Sequence, residues 1–453
     1  MSASSPLEKP DSSTALFADL YELTMLRAYA EHGMDQIAVF DLFFRKVPPG
    51  QNYLLTCGLE PLLEEFESFH FQERDLEYLS SQAFFPQSFI EQLKDFRFTG
   101  DVYAIPEGTP VFPHEPIVEI VAPIGQAQIL ETLVLNQIGL QTILASKAAR
   151  IVHAAQGRAV VDFGSRRAQG FDAAIKGARA FYIAGVASTS NLAAGLKWNI
   201  PVAGTMAHSF IQAFPNEIAA FRAFVTTFPE TILLVDTYDT LDGVRRVVEL
   251  AKELGTACRL RGVRLDSGDI GALAVASRAI LDEAGLHKLQ IFASGGLDEH
   301  KIAQLLGQGA PIDAFGVGTS MSVSDDAPAL DIAYKLVEYA GQGRMKLSPG
   351  KRTLPGRKQV FRNFHDGEAQ EDIIAGCDEA AAGIPLLELV MRAGRRIRPA
   401  PALTGIRDRA RRSMAQLPEN FRSLPPPPSP YPVRISEKLQ AYEQQIRKTL
   451  ARS

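Results

Sequence analysis

Chemistry is concentrated in the stretch Gly262-Val263-Arg264-Leu265-Asp266-Ser267-Gly268-Asp269. A short apolar strand, Leu260 to Leu265 broken by Arg261, runs into a cation, two carboxylates, a hydroxyl and a glycine. Arg264 offers a planar fork of donors suited to phosphate. Asp266 and Asp269 offer the oxygens that Mg²⁺ or a sugar diol takes as partners. Alone, the stretch reads first as a surface turn with an internal salt bridge. Other turns of the same character decide between the two readings.

Those turns recur down the chain. Asp162-Phe163-Gly164-Ser165-Arg166-Arg167 sets an aromatic ring beside two guanidiniums, and Thr189-Ser190-Asn191 carries neutral hydrogen-bonding groups. Gly204-Thr205-Met206-Ala207-His208-Ser209-Phe210 holds a histidine among small polar residues, and Leu234-Val235-Asp236-Thr237-Tyr238-Asp239 adds carboxylates. Ala293-Ser294-Gly295-Gly296-Leu297-Asp298 and Phe315-Gly316-Val317-Gly318-Thr319 are glycine-rich turns fit to seat a phosphate on backbone N–H groups. Taken singly, His208 is a structural histidine, Phe163 a core residue and Tyr21 a packing residue. Among carboxylates and hydroxyls at a strand end, His208 becomes a general base or nucleophile, and Phe163 with Arg166 becomes a ring-stacking platform. Arg45-Lys46, before Val47-Pro48-Pro49-Gly50, reads either as a phosphate site or as a solvated strand end.

Positioning these turns requires a repetitive scaffold. From Arg158 onward, apolar cores at 159–163, 180–183, 201–203, 232–235, 263–265, 289–293 and 312–315 alternate with helical stretches. This predicts about seven β-then-α units and a parallel sheet. No GxGxxG follows the first strand, and the polar residues sit at strand C-termini, so an incomplete TIM-like parallel α/β barrel is favoured over an open doubly wound sheet. The barrel is expected over residues 126–329. A second α+β domain is expected from residues 1–125, rejoined by 330–453. Within it, a helix is read from Ser13 to Ala30 with caps from Asp11, Ser12 and Ser13. Residues 423–433, with Pro425 to Pro428, read as an extended spacer, and about Ser436 to Arg452 as a surface helix.

The bulk numbers limit the function classes. The chain has 453 residues, 46% hydrophobic and 22% charged, enough for two or three domains of an ordinary soluble enzyme. A net charge of −5 gives no electrostatic footprint for nucleic acid or an anionic membrane. Cys57, Cys258 and Cys377 lie far apart without metal-ligand spacing, which argues against disulfides or zinc and fits a reducing cytoplasm. The first 16 residues lack the layout of a signal peptide, and no run reads as a membrane span.

In number and order these motifs resemble the nicotinate phosphoribosyltransferase family. The resemblance runs from Asp19-Leu20-Tyr21-Glu22-Leu23-Thr24-Met25 through Phe43-Phe44-Arg45-Lys46, the turns at 164–167, 204–210, 235–239 and 262–269, to 292–296. It implies joining nicotinate to 5-phosphoribosyl 1-diphosphate (PRPP), giving nicotinate mononucleotide and diphosphate with coupled ATP hydrolysis, for NAD synthesis. It further implies Phe163 and a neighbouring subunit's Tyr21 as walls of the ring slot, hence a homodimer with a shared site. Arg166 would face the nicotinate carboxylate or phosphate, and Arg264 a PRPP phosphate. Asp236 and Asp266 would take ribose and Mg²⁺, Gly296, Gly316 and Gly318 would take the 5′-phosphate, and Thr205 and Thr319 would bind substrate. His208 matches the histidine phosphorylated by ATP. Ser190 falls where nicotinamide-using relatives carry an aspartate, and a neutral hydroxyl avoids repelling a carboxylate substrate. Ser188 stands where glycine is expected. The competing readings are a nicotinamide phosphoribosyltransferase, a sugar-phosphate barrel lyase or isomerase, and a binding protein that kept the scaffold.

Overall fold

The structure, a computed structural model, describes residues 14–348 and 350–451. Among them, six strands form one parallel sheet in the order Ser188–Thr189, Ala159–Asp162, Ala314–Val317, Gln290–Ala293, Gly262–Leu265, Ile232–Leu234. The last strand in the chain pairs with the first, so the sheet curls back on itself. A parallel bridge from Thr189 to Val202 extends the other edge. The break in the barrel therefore falls between Val202 and Ile232. The strands are near-continuous apolar runs, as sheets covered on both faces require, and Val160, Leu233, Val263, Ile291 and Phe315 are all buried.

Two expected strands differ. Ala180-Phe181-Tyr182-Ile183 belongs to the helix Phe171–Ala184, where Ala174, Ala178 and Phe181 face inward at helical spacing. A four-residue apolar run cannot separate a buried helix turn from a strand. Residues 201–203 supply only the bridge at Val202. Helix starts after the strands are set by side-chain caps: Asn191 on the Ala194 N–H, Asp239 on Asp242, Asp269 on Ala272 and Asp298 on Lys301. Asp269 is thus occupied as a helix cap.

A seven-stranded antiparallel sheet forms the second domain, in the order Gln342–Gly343, Ile332–Tyr339, Ile37–Phe44, Val118–Pro123, Asp101–Ala104, Glu388–Arg392, Arg395–Arg396. Ile37–Phe44 lies between strands from both halves of the chain, with Phe40 opposite Leu336 and Ile120. A further sheet contains Lys358–His365, Glu368–Gly376, Ile384–Pro385 and Val433–Ile435. The first helix runs Leu20–Glu31 with Asp19 at its start, later than the sequence reading; the caps expected at Asp11, Ser12 and Ser13 lie outside the described residues. The proline-rich segment is packed at its end. Tyr431 stacks on Phe112 with ring centroids 3.7 Å apart, and its hydroxyl donates to Asp372 at 3.1 Å.

The helix Glu131–Ala154 joins the two domains. Its neighbourhood, Ile124–Ala154, is long and apolar enough to cross a membrane, yet most of it is buried inside the protein. That burial is the pattern of a core helix. It carries Lys147 and Arg150 into a buried network: Lys147 Nζ lies 2.9 Å from Glu299 and 2.8 Å from Asp326, and Arg150 pairs with both at 3.1 and 3.2 Å. This ties the segment after Thr319 to the barrel wall. Arg179 on the helix Phe171–Ala184 makes a buried two-pronged contact with Glu107 of the second domain, both bonds at 2.7 Å. The cysteines are free, Cys57 buried within this contact.

Near the start of the same long helix, Glu22 is fully buried and accepts the Thr132 N–H at 3.0 Å while one of its oxygens has no partner. Burial pushes its carboxyl up to about 7, Glu131 adding to the rise and the Thr132 hydrogen bonds opposing it. The folded state therefore binds a proton that the unfolded state releases in the ordinary carboxylate range. Stability contributed at this site is lost as pH rises from that range through about 7. Denaturant titrations at about pH 5 and about pH 8 should show this decline in the native chain and a flatter profile in Glu22→Gln.

Candidate active site

The C-terminal ends of the parallel strands bring the sequence motifs together. Arg264, on the strand Gly262–Leu265, is the centre. Its Nη2 donates to Asp266 Oδ1 at 2.6 Å, its Nε to Ser294 Oγ at 2.8 Å and its Nη1 to Thr205 Oγ1 at 3.1 Å. Its guanidinium lies 5.1 Å from the centroid of the Phe163 ring. Ser294 Oγ also donates to Asp266 Oδ1 at 2.5 Å. Burial works against ionisation of Asp266, but the Ser294 hydrogen bond and the Arg264 charge outweigh it and hold the carboxyl below its usual range.

Asp236 buttresses the same turn. Its Oδ2 accepts the Asp266 N–H at 3.0 Å and the Ser267 hydroxyl at 2.6 Å, while its buried Oδ1 has no partner. His208 stands at the start of the short helix His208–Gln212 and is half-exposed. Its Nδ1 is 3.1 Å from Thr237 Oγ1, and its Nε2 is 3.7 Å from Asp266 Oδ2. The arginine, two carboxylates and histidine thus form one connected cluster.

Phe163 is seated by a missing side chain. A Cβ on Gly316 would lie 2.6 Å from the Phe163 ring and 2.8 Å from Phe292, so only glycine lets the ring rest on the sheet. Below it, Asp162 Oδ1 accepts the Gly164 N–H at 2.8 Å and Oδ2 accepts the Thr189 hydroxyl at 2.7 Å. Burial raises the Asp162 carboxyl against both of these bonds. Ser190 follows Thr189 and is exposed, its N–H bonded to Asp162 O at 2.9 Å.

The remaining residues take separate places. Gly316 lies within the strand Ala314–Val317, Gly318 ends it, and Thr319 opens the short helix Thr319–Val323. Gly296 is exposed, and Lys301 Nζ reaches over it to its carbonyl at 2.5 Å. Arg166 sits exposed in the turn Ser165–Arg167, with no carboxylate partner among the described residues. Tyr21 is not drawn into the cluster within one chain. It lies 44% exposed on the first helix, where burial and then the charges of Glu131 and Glu22 push its hydroxyl up. The turns that hold Ser294 and Thr237 are legible in the sequence, but nothing in it assigns these two residues roles. Their signal was position alone, a polar group where a strand ends.

A cavity of about 500 Å³ lies in the second domain, away from these turns, with Arg45, Lys46, His114, Arg352 and Lys358 in its wall. Arg45 pairs with Asp331 at 3.0 Å and Lys358 with Asp41 at 2.9 Å. Burial, then the charges of Arg352 and Arg45, lower the His114 imidazole below its usual value. The wall sets four Lys and Arg side chains against the carboxylates of Asp41 and Asp331.

Models of the nicotinate phosphoribosyltransferase N-terminal domain, family and C-terminal domain match residues 16–139, 158–366 and 380–443. The chain belongs to the nicotinate phosphoribosyltransferase family. It is 55% identical over 426 residues to nicotinate phosphoribosyltransferase pncB2 of Mycobacterium tuberculosis, covering 94% of this chain and 92% of that one. A Bacillus subtilis nicotinate phosphoribosyltransferase is 42% identical over 379 residues, 82% of this chain and 77% of the relative. The crystal structure of human nicotinic acid phosphoribosyltransferase superposes with a TM-score of 0.85 at 29% identity, covering 94% of this chain and 99% of that chain. These family-wide similarities span both the barrel and the second domain.

The turn that carries Asp266 depends on backbone contact with its neighbour. Gly295 has φ +90°, and a Cβ there would lie 1.7 Å from the Asp266 carbonyl oxygen. Gly295→Ala should cost at least about 2 kcal/mol or abolish folding. Gly307→Ala, where nothing lies within 4 Å, should be neutral or mildly stabilising. Thermal unfolding of the two variants checks this contrast.

Proposed function

We propose that the chain transfers the phosphoribosyl group of PRPP to nicotinate, forming nicotinate mononucleotide and diphosphate in a salvage route to NAD. The observation that carries this reading is the Arg264–Asp266–Asp236 cluster beside the Phe163 ring. The pyridine nitrogen attacks ribose C1 while the C1–O bond to diphosphate breaks and its electron pair leaves with the diphosphate. Phe163 holds the ring flat, Arg264 meets phosphate charge, and Asp236 and Asp266 face a sugar that becomes positive in the transition state. Ser190 and Arg166 suit the substrate carboxylate, and the turns at Gly296, Gly318 and Thr319 suit phosphate.

Among the described residues, no group of three or more His, Cys, Asp or Glu is placed to hold a metal. The unpaired oxygen of Asp236, with Asp266 nearby, fits Mg²⁺, which binds through one or two carboxylates and substrate phosphates. When bound, the ion would neutralise diphosphate charge.

His208 is read as the acceptor of the ATP γ-phosphoryl group. With the Nδ1 proton directed to Thr237, Nε2 keeps its lone pair for phosphorus while the bond to ADP breaks. Hydrolysis of the phosphohistidine would couple ATP to the cycle. The reading includes a head-to-tail homodimer in the cytoplasm. It is supported by exposed apolar side chains on both sides of the expected contact: Phe171, Leu192, Leu196 and Val202 along the barrel break, and Phe17, Leu20 and Tyr21 on the N-terminal segment. In such a dimer Tyr21 closes the neighbour's ring slot, and the cavity of Arg45, Lys46 and Arg352 lends cations to the diphosphate.

Product formation from PRPP with nicotinate or nicotinamide, with and without ATP, tests the reading on native chain and His208→Ala. Nicotinate mononucleotide is expected in preference, with ATP stimulation lost in the variant. Preference for nicotinamide would overturn the role of Ser190. Undiminished ATP stimulation in His208→Ala would overturn the phosphohistidine.

A further inference from the structure

One cation in the wall of the second-domain cavity, Arg352, is held by the C-terminal helix. Between the strands Gln342–Gly343 and Lys358–His365, the chain crosses in a loop that carries Arg352 into the cavity wall. The helix Glu437–Leu450, started by the Ser436 cap on Leu439, packs against the loop with two successive residues.

Tyr442 fixes the loop's two ends. Its hydroxyl accepts the Gly343 N–H at 2.9 Å, and its ring fills the space above Gly343 and Gly356, where a Cβ would lie 2.6 and 3.0 Å from its atoms. Glu443 fixes the middle. It is 5% exposed and takes Arg352 through both oxygens, Nε to Oε1 at 2.7 Å and Nη2 to Oε2, with Arg447 a further 3.3 Å contact. A guanidinium has five N–H donors, so this two-pronged contact leaves three for another anion. Arg352 is thereby aimed while retaining capacity to bind. Its charge, with that of Arg45, is also felt at His114 across the cavity.

We propose that Tyr442 and Glu443 are positioning residues of the phosphoribosyl transfer, setting Arg352 to receive the diphosphate of PRPP. This rests on the reading that the cavity lends its cations to PRPP. The C-terminal helix then governs affinity for one substrate without touching the reacting atoms. Arg352 held by Glu443 loses less conformational freedom when phosphate arrives, so its contribution appears in substrate binding. Lysine at position 352 cannot substitute, because it lacks the fork that serves two anions together.

The test is steady-state kinetics with PRPP varied at saturating nicotinate, on full-length Arg45→Ala, Arg352→Ala, Glu443→Gln and Tyr442→Phe. Arg45→Ala and Arg352→Ala should each raise the KM for PRPP about tenfold or more, the loss of a charge-assisted hydrogen bond to phosphate. Glu443→Gln should raise it by roughly three- to tenfold while kcat, the KM for nicotinate and the melting temperature hold. Amide exchange across residues 350–354 should quicken in Glu443→Gln, and across 343 and 356 in Tyr442→Phe. If the arginine variants raise the KM for PRPP and Glu443→Gln does not, the positioning role is overturned and the cavity reading stands. If the arginine variants also leave it unchanged, the cavity reading fails and the positioning role falls with it.

Discussion

The ion pair between Arg264 and Asp266 is the constraint on which the rest of the site depends. Both groups sit near the protein surface of the barrel yet are largely shielded, with side-chain exposures of 14% and 26%. A shielded charge is tolerated only when it is paired and its remaining hydrogen-bonding positions are filled. Thr205 and Ser294 fill positions on the pair itself, while the Asp236 carboxylate holds the turn by accepting the Asp266 N–H and the Ser267 hydroxyl. Removing Thr205 or Ser294 leaves a charged group short of a partner, and removing Asp236 leaves the turn's N–H and hydroxyl without one, which is why residues far apart in sequence converge here. The buried Asp236 oxygen is left without a partner, and half-buried Phe163 stands beside the cluster.

The architecture explains how that arrangement is held. Parallel strands all point their C-terminal ends to one rim, so a single polar residue after each apolar run lands in the same place. Two buried charge contacts then fix the rim to its surroundings. Lys147 and Arg150 anchor the segment after Thr319, and Arg179 with Glu107 ties the barrel to the second domain. Pairs of this burial cost desolvation and gain from geometry, so their clearest contribution is to a unique arrangement. The second domain, built on strands from both halves of the chain, brings its own cations to a separate cavity.

Much of this was legible in the sequence. The alternation after Arg158, the polar residue at each strand end and the two late glycine turns point to a barrel and a rim, because apolar runs and turn chemistry are local signals. The run at 180–183 misled, since four apolar residues look alike in a helix or a strand. Asp269 looked like a ligand because a helix cap and a metal ligand use the same oxygen. Ser294, Thr237 and Glu443 gave no signal beyond being polar, because their partners lie 28 to 91 residues away. Long-range pairing of that kind is set by the fold and becomes visible only once the elements are placed.

The most direct measurement is the kinetics of Arg264→Lys with PRPP and nicotinate, paired with its thermal unfolding. Lysine keeps the charge but loses the fork that joins Asp266, Ser294 and Thr205. The account predicts that kcat/KM for PRPP falls about 100-fold while the melting temperature changes little. Retained kcat/KM in a folded Arg264→Lys chain would contradict the placement of the reaction at this cluster.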